Sequence, residues 1–197
     1  MKIMLTLAQH NDFIVECLAG KPDSVFVTTY GIWAGYNFEG KDAVSADKMP
    51  FTRKILDGFR AVKDVRMLVS IPSYASCKGL ERCLNCESKY VQSLFRLQSH
   101  ADAFPAFQWR LVTDSHIKAI VFTYKGGHKI AVVGGRNFTN SQWADITFGI
   151  GTPAQIAPME AHAQEMWIKG LPISNDVIGE IIQANEISSQ AMEFIAT

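Results

Sequence analysis

His116 and Lys118 stand two apart at the head of an apolar run. Gly134, Gly135, Arg136 and Asn137 close the segment that returns from it. An imidazole can attack phosphorus or shuttle protons near neutral pH. An ammonium and an amide can hold the oxygens of a phosphate. Glycine backbone lets such a group approach closely. These residue types suit phosphoryl chemistry if the fold brings them together.

The intervening residues predict how. Ala119-Ile120-Val121-Phe122-Thr123-Tyr124 is rich in β-branched and aromatic side chains and reads as a strand. Lys125-Gly126-Gly127-His128 carries two glycines, which supply positive φ in a hairpin turn. Lys129-Ile130-Ala131-Val132-Val133 reads as the returning strand. Side chains alternate along a strand, so His116 and Lys118 share a face. The hairpin would bring Gly134 and Asn137 back beside them. His-x-Lys alone is well explained as a solvated strand end, and Gly-Gly-x-Asn alone as a turn. Both in order, joined by a hairpin, favour a site.

Around this hairpin the chain alternates strands and helices. Helices are predicted from Leu5 to Leu18, from Pro50 to Ala61 with Phe51, Ile55, Leu56 and Phe59 inward, and from Glu87 to His100. Two more are predicted, from Glu160 to Lys169 and from Asn175 to Phe194. Strands are predicted over 24–30, 65–72, 107–112 and 146–150. This order implies an α/β fold, a mixed β-sheet flanked by helices, with a C-terminal helical segment. Composition shifts near Gly151-Thr152-Pro153, which divides a catalytic domain over 1–150 from an acidic helical segment over 151–197, packed on the same domain.

The two motifs resemble the signature of the phospholipase D superfamily, His-x-Lys-x4-Asp followed by Gly-Ser-x-Asn. Thr123 stands at the Asp position of that HKD motif and Gly135 at the Ser position, and the hairpin is longer than usual. The single-motif, metal-independent restriction endonucleases of this superfamily show similar departures and a similar Asn-Phe-Thr, here Asn137-Phe138-Thr139. In that group an acidic residue follows several positions later, a place that Asp145 could fill. The resemblance implies a phospholipase D-like fold and a phosphodiesterase, a hydrolase of the nuclease branch that cuts DNA or RNA without a catalytic cofactor. His116 would be the nucleophile, and Lys118 and Asn137 would hold the non-bridging oxygens. Asp145 either orients the imidazole or is a surface residue. Gly134, Gly135, Arg136 and Thr139 would border the substrate, with Arg136 on a neighbouring phosphate or solvated. Thr123 reads as structural.

The superfamily's site needs two His-x-Lys motifs. His10, His100, His128 and His162 are each followed two positions on by a residue other than Lys. One motif per chain implies a homodimer with the site across its two-fold axis. Two other readings remain. The departures at Thr123 and Gly135 fit a binding module for nucleic acid or protein that has lost turnover. A lipid phosphodiesterase would use the same chemistry, though such enzymes of the superfamily usually carry two motifs.

Charge bears on the partner. Net charge is zero over 197 residues. Residues 151–197 hold Lys169 against Glu160, Glu165, Asp176, Glu180, Glu186 and Glu193, a balance of −5 that leaves +5 on residues 1–150. Two explanations fit: a positive cleft on the body for nucleic acid, or a plain acidic packing helix. No apolar stretch approaches a membrane span, and the N-terminal apolar run is too short for a signal peptide, so no membrane partner and an intracellular, cytoplasmic location are expected.

Cys77, Cys83 and Cys86 have the spacing Cys-x5-Cys-x2-Cys, and His100 lies 14 residues on. Three thiolates and an imidazole can close a structural zinc site, pinning an insert over 77–100 beside the catalytic cleft. Free, partly buried thiols are the other explanation. Cys17, on the first predicted helix, reads as core.

Overall fold

The computed structural model describes residues 2–5, 7–29, 51–70, 94, 97–112, 115, 117–134, 147–180 and 183. Among them, eight strands form one mixed sheet in the order β1-β7-β6-β5-β2-β3-β4-β8. The strands are β1 (Lys2–Leu5), β2 (Ser24–Thr29), β3 (Asp64–Ser70), β4 (Phe107–Val112), β5 (Ala119–Thr123), β6 (Lys129–Gly134), β7 (Thr147–Ile150) and β8 (Leu171–Pro172). β2, β3 and β4 run parallel; every other pairing is antiparallel. This is the mixed α/β sheet that the alternating elements imply.

One face of the sheet is covered by α1 (Leu7–Ala19), α2 (Phe51–Phe59) and helical residues 97–103. Ile14, Ile55, Phe59 and Leu97 meet Val25, Val27, Met67, Phe107 and Phe122 there in one continuous core. Those strand residues alternate with residues of the other face, as a pleated strand requires. β7 contributes Gly149, where a Cβ would come within 3.2 Å of the Phe13 ring. Glycine there lets α1 lie close on the sheet.

The other face is covered by α3 (Pro153–Lys169). Ile156 packs on Val121 and Ala131, and Trp167 packs on Leu68 and Val112. The Trp167 ring meets Phe26 edge-on at 5.8 Å. Arg110 donates to the Trp167 carbonyl at 2.7 Å and lies 4.7 Å from the ring centroid. A cation on the last carbonyls of a helix complements its dipole. Lys129 of β6 donates to both carboxylate oxygens of Glu160 at 2.7 Å. Glu165 accepts from Lys169 at 2.6 Å. Two of the C-terminal acids are therefore spent within the molecule, and the helix that carries them packs on the sheet.

Four boundaries differ from expectation. α3 begins at Pro153, a turn and more before Glu160, with proline at its first turn where no amide partner is needed. Pro158 lies inside the helix. The N-terminal run divides into a strand and a helix, β1 and α1, because Lys2–Leu5 pairs with β7. β8 is an edge strand of two residues that pairs with Arg110 and Leu111. Of the helix expected from Glu87 to His100, residues 94 and 97–100 are described and helical, and the helix runs on to 103; of the last expected helix, residues 175–180 and 183 are described and helical. Among the described residues no helix is long and apolar enough to cross a membrane.

Candidate active site

The parallel strands β2, β3 and β4 end at Thr29, Ser70 and Val112. β5 runs antiparallel to β2, with Thr28 opposite Ala119, so β5 starts where those strands end. β6 returns to the same edge, with Val133 opposite Ala119. One step further, the Gly134 amide donates to the Lys118 carbonyl at 3.1 Å. β7 begins there too, with Thr147 opposite Gly134. β1 ends there as well, with Leu5 opposite Thr147, so seven strands have an end on this one edge. In open α/β sheets, the crevice beyond the carboxyl ends of parallel strands is where ligands bind.

The hairpin forms as its residue types dictate. Gly126 and Gly127 have φ of 83° and 81°. That left-handed region is costly for residues with a Cβ. The Tyr124 amide donates to the His128 carbonyl at 2.8 Å, and the Gly127 amide to the Tyr124 carbonyl at 3.0 Å. The register from Ala119↔Val133 to Thr123↔Lys129 is unbroken.

Of the residues expected to do the chemistry, Lys118 and Gly134 are described, and they adjoin. His116, Gly135, Arg136, Asn137, Thr139 and Asp145 lie outside the described residues. In sequence, His116 stands between Ser115 and Ile117, and Gly135 follows Gly134. Both motif segments depart from the same sheet edge. Lys118 is half-buried and is engaged within the molecule. Alternation gives it the face of Ile120 and Phe122, away from α3.

Thr123 falls elsewhere. It pairs with Ser24 and Lys129 at the turn end of β5, and its carbonyl accepts from the Asp23 amide at 2.8 Å. Five residues of strand separate it from Lys118, about 16 Å at ~3.3 Å per residue. The absent motif Asp therefore takes no carboxylate from the site end of the strand.

Two buried hydroxyls tether the segment that carries the His-x-Lys. The Ser115 amide donates to Ser70 Oγ at 3.1 Å, and Thr28 Oγ1 donates to the Ala119 carbonyl at 3.4 Å. Neither Ser70 nor Thr28 stands out in the sequence. The available signal was a hydroxyl residue closing an otherwise apolar strand, as in Leu68-Val69-Ser70 and Val27-Thr28-Thr29.

Beneath the same edge, on the α3 face, lies a cavity of about 340 Å³ lined by Phe26, Thr28, Ile117, Val133, Met159 and His162, among others. Ile117, between the two motif residues, lines it and is 37% exposed.

Of the expected zinc ligands, Cys77, Cys83 and Cys86 lie outside the described residues. The His100 ring packs between Phe104 and Phe107, with centroids at 4.8 and 4.9 Å. Its Nε2 is buried with no hydrogen-bond partner among the described residues. Burial, reinforced by the Arg60 guanidinium, holds the imidazole below its usual pKa and so favours the neutral form. Among the described residues, no group of three or more His, Cys, Asp or Glu could hold a metal. Phe107 is the first residue of β4, whereas the candidate site lies beyond the last. His100 is therefore at the opposite end of the strand from the cleft, not beside it.

Whole-fold comparison is informative where sequence is not. No protein-family profile matches this chain, and no curated protein sequence does. Among solved structures, the chain is similar to Nuc from Salmonella typhimurium, a phospholipase D family member, with a TM-score of 0.58 at 12% identity. That match covers 89% of this chain and 99% of Nuc. The chain has the phospholipase D fold. NucT from Helicobacter pylori is similar too, with a TM-score of 0.53 at 12% identity over 88% of this chain and 99% of that one. So is TrmBL2, an archaeal chromatin protein with a novel mode of DNA binding, with a TM-score of 0.52 at 9% identity over 87% of this chain and 54% of that one. The phospholipase D-like fold that the His-x-Lys and Gly-Gly-x-Asn motifs implied is thus the fold observed.

Proposed function

We propose that this chain is a metal-independent phosphodiesterase, most directly a nuclease acting on DNA, that works as a homodimer. One observation carries the reading. In a phospholipase D fold matched over the whole length of Nuc, Gly134 lies hydrogen-bonded beside Lys118, so both motif segments leave from one edge. In this reading His116 attacks the phosphorus, and a phosphohistidine forms as the leaving oxygen departs. His116 of the second copy protonates that oxygen, then takes a proton from the water that hydrolyses the intermediate. Lys118 and Asn137 of both copies stabilise the charge that builds on the non-bridging oxygens. Asp145 fixes the tautomer of the imidazole, and Gly134, Gly135, Arg136 and Thr139 border the bound strand. The excess positive charge on residues 1–150 favours a polyanionic substrate over a neutral one.

The test is incubation of the purified protein with single-stranded DNA, double-stranded DNA and RNA in excess EDTA, beside His116→Ala. Cleavage by wild type alone is expected. Cleavage abolished by EDTA and restored by magnesium would sink the phosphohistidine mechanism.

A second reading has its own support. Thr123 and Gly135 depart from the motif, and one similar structure belongs to a DNA-binding chromatin protein. A module that binds nucleic acid without turnover would show equal DNA affinity for wild type and His116→Ala, with no cleavage by either.

A further inference from the structure

We infer that Ser70 is a positioning residue for His116, a role that rests on the phosphodiesterase reading of that histidine. Ser70 is the last residue of β3 and is fully buried. It stands opposite Val112, the last residue of β4. From Val112 the chain must cross the ends of β3 and β2 to start β5, because β2 lies between β3 and β5. The described residues of that crossing, 115, 117 and 118, belong to no strand, so no strand ladder guides them. The bond from the Ser115 amide to Ser70 Oγ holds it instead, across 45 residues of sequence.

The location of this bond gives it its role. Ser115 is covalently joined to His116. On the other side of the histidine the backbone is held by the Gly134 amide on the Lys118 carbonyl and by Thr28 Oγ1 on the Ala119 carbonyl. Those two contacts join neighbouring strands and would survive as part of the sheet. The Ser70 hydroxyl fixes the approach from the N-terminal side. A buried amide left without an acceptor is costly, so loss of the hydroxyl would shift residue 115 toward another partner. The nucleophile would be displaced with it.

Three substitutions in the full-length chain test this. Ser70→Ala removes the acceptor. Ser70→Cys nearly preserves volume but offers a weak acceptor. Ser70→Thr restores the hydroxyl. Expected is a fall in kcat of about 10- to 100-fold for Ala and Cys, the scale of a small misplacement of a reacting group, with KM nearly unchanged. Ser70→Thr should return most of the loss. Histidine-selective NMR supplies a readout independent of cleavage: the His116 imidazole resonance and its titration should move in Ser70→Cys and return in Ser70→Thr. A resonance unmoved in the folded Ser70→Cys protein overturns the positioning role, whether or not DNA is cut. Wild type that cuts nothing, with His116 shifted by Ser70→Cys, overturns the nuclease reading and leaves the tether standing.

Discussion

The two ends of the β5–β6 hairpin are built by different physics. The turn itself closes locally, though the strand end beside it is also fastened from a distance, by Tyr124 on the Cys17 carbonyl. Gly126 and Gly127 adopt positive φ, and two short-range bonds among Tyr124, Gly127 and His128 close it. Its tip is exposed. The site end is made by distant chain. Thr28 holds Ala119 from 91 residues away, and Ser70 holds Ser115 from 45. Those hydroxyls are buried, and the amides and carbonyls they meet are backbone. A turn can be specified by a handful of neighbouring residues. A site that must hold a nucleophile still needs contacts from several strands, which pre-organise it before substrate arrives.

The sharpest way to break this comparison is at Lys118. Lys118→Ala should lower kcat by about 100- to 1000-fold, the usual loss for one donor to a developing oxyanion. The melting temperature should change little, since the backbone contact between Lys118 and Gly134 remains. Steady-state kinetics with thermal melts would check both. A loss of stability with kcat unchanged would make Lys118 a packing residue.

Next in size is the response of the turn end to alkali. The Tyr124 hydroxyl donates to the Cys17 carbonyl at 2.9 Å, fastening the hairpin to the end of α1. Burial pushes the Cys17 thiol up to about 11 from its ordinary 9.0, and burial first, then Cys17, pushes the Tyr124 phenol up as well. Both folded values are raised. Their contribution is thus complete below pH 9 and is lost as pH rises toward 11, because the unfolded chain gives up its protons first. Denaturant titrations should show stability falling by on the order of 2 kcal/mol across that interval. Cys17→Ala should lower the baseline through lost packing but flatten the slope. A slope unchanged by Cys17→Ala would remove the thiol from the account.

The same division explains what the sequence made legible. Alternation and β-branched residues announced β5 and β6, and two glycines announced the turn, because these signals act over a few residues. Parallel β3 announced itself as an apolar run, as a central buried strand does. β1 and β8 did not. Lys2–Leu5 and Leu171–Pro172 are short segments made into strands by the neighbours they pair with. The helix expected from Glu160 starts at Pro153 and runs through Pro158 on the packing of Ile156 and Trp167 against the sheet. For the proposed site, His116, Lys118 and Asn137 were candidates from residue type and spacing. Ser70 and Thr28 were not, since a hydroxyl at the end of an apolar strand carries no mark of the amide or carbonyl it will meet.

The smallest expected effect bears most directly on the motif. Thr123 occupies the place where the resembling family has Asp, and that place is the turn end of β5, about 16 Å along the strand from Lys118. Thr123→Asp restores the signature at that position. Its side chain would stand opposite Lys129, whose ammonium Glu160 already holds. A cross-strand pair of opposite charge contributes less than about 1 kcal/mol. Cleavage should therefore stay within about twofold of wild type, the range of a residue that meets neither substrate nor imidazole. A tenfold rise in kcat would mean that the far end of the strand is coupled to the site, and that the division between a local turn end and a tethered chemical end is too sharp.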